Sequence, residues 1–343
     1  AGAGTTGTTS IMSFNVYGNK CDGNGETSIN IFIEGLPNKP DIICTQEEPS
    51  TTIELDGYTR LAHVGSDNEI VGVYIKNDGV HLYKENKQVT INAENEGGVD
   101  GAVNRNAIIF NYNNIIIANI HLEGGKYVDS YLKNNFDNYL QYKLKLLEEV
   151  IKTNPHIILG DFNSVKFSSH NIPEKFVGLA TKLGLTKQQI YTWNNAAFDL
   201  LDKKGYIMCN LNPKSTVTFT ELRNNTMVDY IWYNSNLVNC SNSIIIDINN
   251  GLCCNKMRNY TSSLGIGGLE PGPWHKTQIR HDSDTSTCGI TCKEYVNNTN
   301  NTYEGAIKGV ISDHNPIITT VTKVTKGGNK QPPIILPQEY TFF

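Results

Sequence analysis

The feature that most constrains this chain is a succession of short apolar runs, several of which end in a residue able to bind a metal or move a proton. "SIMSFNVYG" runs into Asn15, "DIICTQEE" into Glu47, "NIIIANIHL" into His121, and "HIILGDFNS" into Asp161 and Asn163. Asp229 follows "MV" at the head of "VDYIWYN", and Asp313 with His314 follows "GVIS". The runs, together with "EIVGVYIKN", "AIIFNYN" and "NPIITTVTKV", are short and bounded by turn-forming residues, which predicts strands. Polar ends of neighbouring strands can converge on one rim and build a pocket on rigid supports. A buried acid and imidazole such as Asp313 and His314 are costly unless such partners satisfy them.

Helical spacing is rarer. Residues 128–153 predict a helix whose Leu140, Leu144, Leu147 and Ile151 dock one face on a sheet. A second helix is expected over "YTWNNAAFDLLDKKG", stopping at Gly205, with Trp193 and Phe198 in the core. Residues 247–308 are rich in Gly, Asn, Thr and Cys and read as a loop-rich insertion. Residues 326–343 read as an extended C-terminal tail.

The converging set is almost all oxygen, which suits Mg²⁺, with Mn²⁺ or Ca²⁺ as alternatives, rather than zinc. Phosphate-ester hydrolysis needs what such a set supplies: neutralised phosphoryl oxygens, an oriented water and a base. Singly the motifs say little, since "GDFN" alone is a turn and a lone Asp-His a surface pair. In their order, "SFNV", "TQE", "NIHLE", "GDFNS", "VDYI" and "SDHNP" resemble the endonuclease/exonuclease/phosphatase superfamily, the deoxyribonuclease I-like hydrolases, over residues 10 to 322 apart from the insertion.

The resemblance implies an α/β fold of four layers, a sandwich of two packed mixed β-sheets flanked by helices. It implies one catalytic domain over residues 1–325, followed by the tail. Asn15, Glu47 and Asp313 match the metal site, with the register of "TQE" favouring Glu47 over Glu48. Asp161 matches the acid that orients or deprotonates water, and Asn163 the residue that holds the phosphate. His314 matches the histidine on the scissile phosphate and Asp229 the acid that fixes its tautomer. His121 matches a second active-site histidine that Glu69 orients. Arg105 sits where relatives place an arginine against substrate phosphate, and an ordinary surface ion pair explains it equally well.

Net charge of -5 and a pI of about 5.9 give no global basic field, so any nucleic-acid groove must be local. Inositol phosphatases usually carry an aromatic-Gly-Asp-Leu-Asn-Tyr-Arg motif and a Thr-Asp-Arg segment, where this chain has "LGDFNSV" and "MVDYI". "HLEGG", a long helix and "GDFN" resemble the tyrosyl-DNA phosphodiesterase and nuclease branches. The expectation is a nuclease with a nucleic-acid substrate. The alternatives are a phosphatase or sphingomyelinase-like esterase on an inositol phosphate or lipid headgroup, and an inactive scaffold or virion surface protein.

No apolar run is long enough to span a bilayer, and the opening "AGAGTTGTTS" has no signal-peptide pattern. Oligomeric state is not specified. Cys44 reads as a free buried thiol. Cys209, Cys240, Cys253, Cys254, Cys288 and Cys292, with sequons at Asn224, Asn239, Asn259, Asn297 and Asn300, lean toward disulfides in an oxidising or secretory compartment, although an Asn-rich chain makes sequons by chance. His275, His281, Cys288 and Cys292 fit no established zinc spacing, so disulfides or thiols explain these cysteines more simply. Trp274, Lys276 and Arg280 on the same insertion are candidates for clamping substrate.

Overall fold

The computed structural model of the protein describes residues 7–16, 25–36, 38–50, 53–66, 69–93, 104–124, 131–167, 172–213, 215, 217–221, 226–246, 312 and 314–324. Asp313, the 247–308 insertion with its histidines and cysteines, and the 326–343 tail lie outside the described residues.

The first sheet contains β1 (Thr9–Asn15), β2 (Ile42–Glu48), β3 (Tyr58–Val64), β4 (Ile70–Lys76), β11 (Val238–Cys240), β12 (Ile244–Ile245) and β13 (Ile317–Lys323). Its order is β11-β13-β1-β2-β4-β3, with β12 also paired to β13. The second contains β5 (Tyr83–Ile91), β6 (Arg105–Tyr112), β7 (Ile115–His121), β8 (Ile157–Asp161), β9 (Ile207–Met208) and β10 (Asp229–Tyr233), in the order β5-β6-β7-β8-β10-β9. Each is antiparallel except for one parallel pair, β1 with β2 and β7 with β8. The helices are α1 (Gly25–Glu34), α2 (Tyr131–Lys152), α3 (Glu174–Leu183) and α4 (Lys187–Lys203).

Side chains alternate across each strand, so one run can supply two interfaces. Ile115 and Ile117 of β7 pack between the sheets, whereas Ala118 and Ile120 face the α2 side. On β1, Ile11 lies between the sheets, while Met12 and Phe14 pack with Ile29, Phe32 and Ile33 of α1. Buried side chains of α2 and α4, among them Tyr139, Leu146, Trp193 and Phe198, cover the outer face of the second sheet. The molecule is therefore the four-layered α/β/β/α sandwich expected, with α1 outside one sheet and the other helices outside the second.

Every predicted strand is present, and β3, β5 and the short β9, β11 and β12 are additional. β5 was hidden because it is a partly exposed edge strand whose charges erase the apolar pattern. Helices α1 and α3 were also not anticipated. The buried stripe of α2 is rotated from the expected one: Tyr139, Tyr142, Leu146, Leu147 and Val150 are buried, whereas Leu140, Leu144 and Ile151 flank them half-buried. The tyrosines carry the bulk that a count of aliphatic residues missed. α4 starts earlier than expected because Thr186 and Gln189 form a reciprocal capping box, and Gly205 takes the positive φ of 82° that ends it.

The sheets are also tied covalently. A disulfide joins Cys209, just after β9, to Cys240 on β11 in the other sheet. Cys44 is free and buried. Among the described residues, no helix is long and apolar enough to cross a membrane.

Candidate active site

Strand periodicity explains why the polar ends meet. His121 continues the row Ile115, Ile117, Asn119 on the inter-sheet face of β7, and Asp161 continues Ile157 and Leu159 on β8. Asp229 begins the corresponding row, with Ile231, on β10. Register then places both His121 and Asp229 opposite Asp161. Asn15 ends the row Ile11, Ser13 on β1, facing the same end of the inter-sheet space.

Glu47 reaches the site by breaking that periodicity. The alternation on β2 sends Ile42 and Cys44 between the sheets, and Gln46 after them. A register shift between Thr45 and Glu48 and a φ of 52° at Glu47 form a bulge. Glu47 thereby accepts from the Asn15 Nδ2 at 3.1 Å. Glu48 instead turns to Arg60 at 2.7 Å and to the Thr45 hydroxyl, fully buried, and burial raises its pKa. Gly72 lies against this bulge, where a Cβ would run into the Glu48 carboxylate. A polar bridge between sheets secures the bulge: Gln46 Nε2 donates to Asn119 Oδ1 at 2.6 Å, and Asn119 Nδ2 donates to the Thr45 and Gly72 carbonyls at 3.0 and 2.9 Å.

Asp161 is the hub. Its Oδ2 accepts from Asn15 Nδ2 at 2.9 Å and lies 3.8 Å from His121 Nε2 and 4.0 Å from His314 Nε2. Its Oδ1 accepts from the Asn163 amide at 2.7 Å. Burial, then the Asp229 carboxylate, push the Asp161 pKa up to about 8; Glu47 adds to the rise, and His314 and the Asn163 amide oppose it. Asn163 holds a φ of 45° and donates its side-chain amide to the Leu122 carbonyl at 2.9 Å.

Both histidines are buried and backed by acids. His314 Nδ1 meets Asp229 Oδ2 at 2.8 Å, and the Asp229 backbone amide is held by the Thr220 hydroxyl at 3.0 Å. The His314 amide donates to Ser312 Oγ at 3.1 Å, and that hydroxyl donates to the Asn15 carbonyl at 2.6 Å. His121 Nδ1 lies 3.3 Å from Glu69 Oε2, and its Nε2 lies 3.5 Å from Glu47 Oε1. Burial, then the Arg105 guanidinium and His314, hold His121 well below the usual imidazole range. Arg105 is not an exposed side chain: it is buried, donating to Glu69 at 2.7 Å and to Glu123 at 2.8 Å. Burial works against its charge, yet Glu123 and Glu69 outweigh it and raise its pKa.

The donor chemistry fits a divalent cation. One ligand atom each from Glu47, His121 and Asp161 lie within 4.8 Å of one another, as do those of Asp161, Asp229 and His314. Among the described residues no lysine or arginine pairs with Asp161, and Asp229 Oδ1 is buried without a hydrogen-bond partner. Clustered, buried carboxylates short of compensating cations are what a hard metal ion requires. Asn15, Glu47, Glu69, Arg105, His121, Asp161, Asn163, Asp229 and His314 thus all lie in this network. Sequence reasoning missed Gln46, Asn119, Glu123 and Lys143; Asn119 is the polar break two residues before His121, and Lys143 the cation on the buried face of α2.

The fold is that of the deoxyribonuclease I-like phosphoester hydrolases. The chain belongs to the endonuclease/exonuclease/phosphatase family, whose sequence model matches residues 12–314. Among solved structures it is similar to mannosyl-6-phosphatase of Bacteroides thetaiotaomicron, at 13% identity and TM-score 0.49 over 92% of this chain and 100% of that one. It is also similar to an AP endonuclease from Archaeoglobus fulgidus (14% identity, TM-score 0.48, 91% and 98% coverage). The human Nocturnin catalytic domain is similar at 13% identity and TM-score 0.47, with 92% and 95% coverage. No curated protein matches the chain significantly.

Proposed function

We propose that the protein is a divalent-metal-dependent phosphodiesterase that hydrolyses nucleic acid. The observation that carries the reading is the convergence of Asn15, Glu47, His121, Asp161, Asp229 and His314 on one end of the sandwich, with both histidines backed by acids. Asn15 and Glu47, joined by Asp313, are the residues that would hold Mg²⁺, with Mn²⁺ or Ca²⁺ as substitutes. When bound, the ion neutralises phosphoryl oxygens.

The chain's own residues do the rest. Asp229, accepting from Nδ1–H, leaves His314 Nε2 to face the scissile phosphate. Asp161, anchored through the Asn163 amide, is placed to orient the attacking water, and Asn163 to hold the phosphate. His121, kept neutral and oriented by Glu69, offers its Nε2 toward Glu47 and Asp161.

The substrate class rests on the "HLEGG" and "GDFN" segments and on the missing inositol-phosphatase motifs. The reach of the family match supports reading residues 1–325 as one catalytic domain. The Cys209–Cys240 disulfide supports an oxidising compartment. The test is cleavage of supercoiled plasmid and labelled single-stranded oligonucleotides with Mg²⁺ or Mn²⁺, using EDTA and His314→Ala as controls. Cutting lost in both controls is the expected result. Failure to cut, with metal binding intact, moves the substrate to a phosphomonoester or lipid headgroup.

A further inference from the structure

Lys143 is only 1% exposed, in the middle of the buried face of α2, one turn from Tyr139 and one turn from Leu147. Its ammonium group lies 4.4 Å from the centre of the Trp193 ring and donates to the Asn163 carbonyl at 2.9 Å. Packing alone does not call for a lysine here, since a methionine would fill the same space without desolvating a charge. Burial pushes the Lys143 pKa down to about 7, opposed by Glu123 and Asp161, so the fold carries a real cost at this position.

The carbonyl it holds belongs to a strained turn. Asn163 sits at a φ of 45°, its amide fixes Asp161 Oδ1 at 2.7 Å, and its side chain is tethered to the Leu122 carbonyl at 2.9 Å. Gly124 approaches from the other side, where a Cβ would come within 2.9 Å of Asn163 Oδ1. Lys143 is the tether on the carbonyl side of a residue whose amide and side chain are already fixed.

We propose that Lys143 is a positioning residue, whose ammonium pins the Asn163 carbonyl and thereby keeps Asp161 and Asn163 aimed together into the site. The inference rests on the reading that these two residues act on the phosphoester, but not on that ester being nucleic acid.

The experiment compares Lys143→Met with wild type, alone and with Asn163→Ala, on any phosphodiester the wild type cleaves, a chromogenic bis-aryl phosphate included. K143M is expected to lower kcat by ~10- to 100-fold, as small misplacements of reacting groups do, with KM within ~3-fold. In the Asn163→Ala background the further loss shrinks, because one of the two groups being positioned is gone while Asp161 still depends on the same turn. Amide exchange at Asn163, which needs no substrate, accelerates at least ~10-fold. Unchanged exchange and kcat, or losses that simply multiply, overturn the proposal. If K143M does not fold, a through-bond NMR coupling between Lys143 Nζ and the Asn163 carbonyl in wild type is the deciding measurement, and its absence also overturns it. A wild type that spares both plasmid and single-stranded DNA and RNA oligonucleotides but cleaves the chromogenic ester refutes the nuclease reading and leaves the Lys143 comparison intact.

Discussion

The two histidines of the site are built on the same motif and placed in different electrical surroundings. His314 is held at Nδ1 by Asp229 at 2.8 Å, and the second Asp229 oxygen has no hydrogen-bond partner among the described residues. His121 is approached at Nδ1 by Glu69 at 3.3 Å, but the same Glu69 oxygen takes Arg105 at 2.7 Å. Arg105 absorbs the carboxylate's charge, and burial together with that guanidinium keeps His121 neutral. A neutral imidazole whose Nδ1–H faces Glu69 presents its Nε2 lone pair among carboxylates, a setting that suits a cation or a hydrogen-bond donor. The lesson is that a histidine–acid pair is defined as much by what else holds the acid as by the pair itself.

The largest effect expected from testing this contrast is at His314. Replacing it with Ala lowers kcat by ~10³-fold, within the span of lost acid–base groups, and Asp229→Asn approaches that loss by favouring the wrong tautomer. A loss of under ~10-fold in single-turnover assays would mean His314 is not the histidine on the phosphate.

Next comes Arg105→Met, which strands Glu69 and Glu123 and gives His121 a surrounding closer to that of His314. We expect unfolding free energy to drop by about 3 kcal/mol, turnover to fall ~10-fold and the NMR titration of His121 to move upward. A rise in KM with the His121 titration unmoved would restore Arg105 to the substrate phosphate and break the comparison.

A third test uses Asp161, which both histidines face. Its carboxyl, raised from 3.8 to about 8 in the folded protein, binds its proton more tightly folded than unfolded. Its contribution therefore favours the fold below 3.8 and is lost progressively as pH rises to about 8. In EDTA-treated protein Tm is expected to fall across that window. Asp161→Asn, and saturating Mg²⁺ in the wild type, should both flatten the slope.

The smallest effect on turnover is expected remote from the histidines. Removing the Cys209–Cys240 bridge, which closes a separation of 31 residues, should cost about 3 kcal/mol in denaturant melts while kcat stays within ~2-fold. A large fall in kcat would show that the link between sheets also shapes the catalytic end.

How much of this was legible depended on whether the signal was local. The strand ends could be read because apolar alternation is local and each polar terminus stands out against it. The stop of α4 at Gly205 was equally plain. The start of α4 was written in Thr186 and Gln189 but lay outside the apolar pattern, and β5 carried almost no apolar pattern to read. Arg105 was visible as a residue, yet its burial between Glu69 and Glu123 was not, because Glu69 is 36 residues away and comes from the other sheet's side of the site. The aliphatic spacing on α2 did not mark Lys143, which is buried on the face that Tyr139 and Tyr142 turn inward.

By itself the sequence determined the alternation of strands, the polar residue at the end of each and their family order, because period-2 burial and covalent neighbours are properties of the chain. The family resemblance already favoured Glu47 over Glu48 and paired Asp229 with His314 and Glu69 with His121. The tertiary structure alone decided how a bulge turns Glu47 toward Asn15 and what Arg105 holds. A bulge that reverses the facing of one residue, and charges that pair across strands far apart in the chain, depend on where other segments pack. Those placements exist only once both sheets have closed on each other.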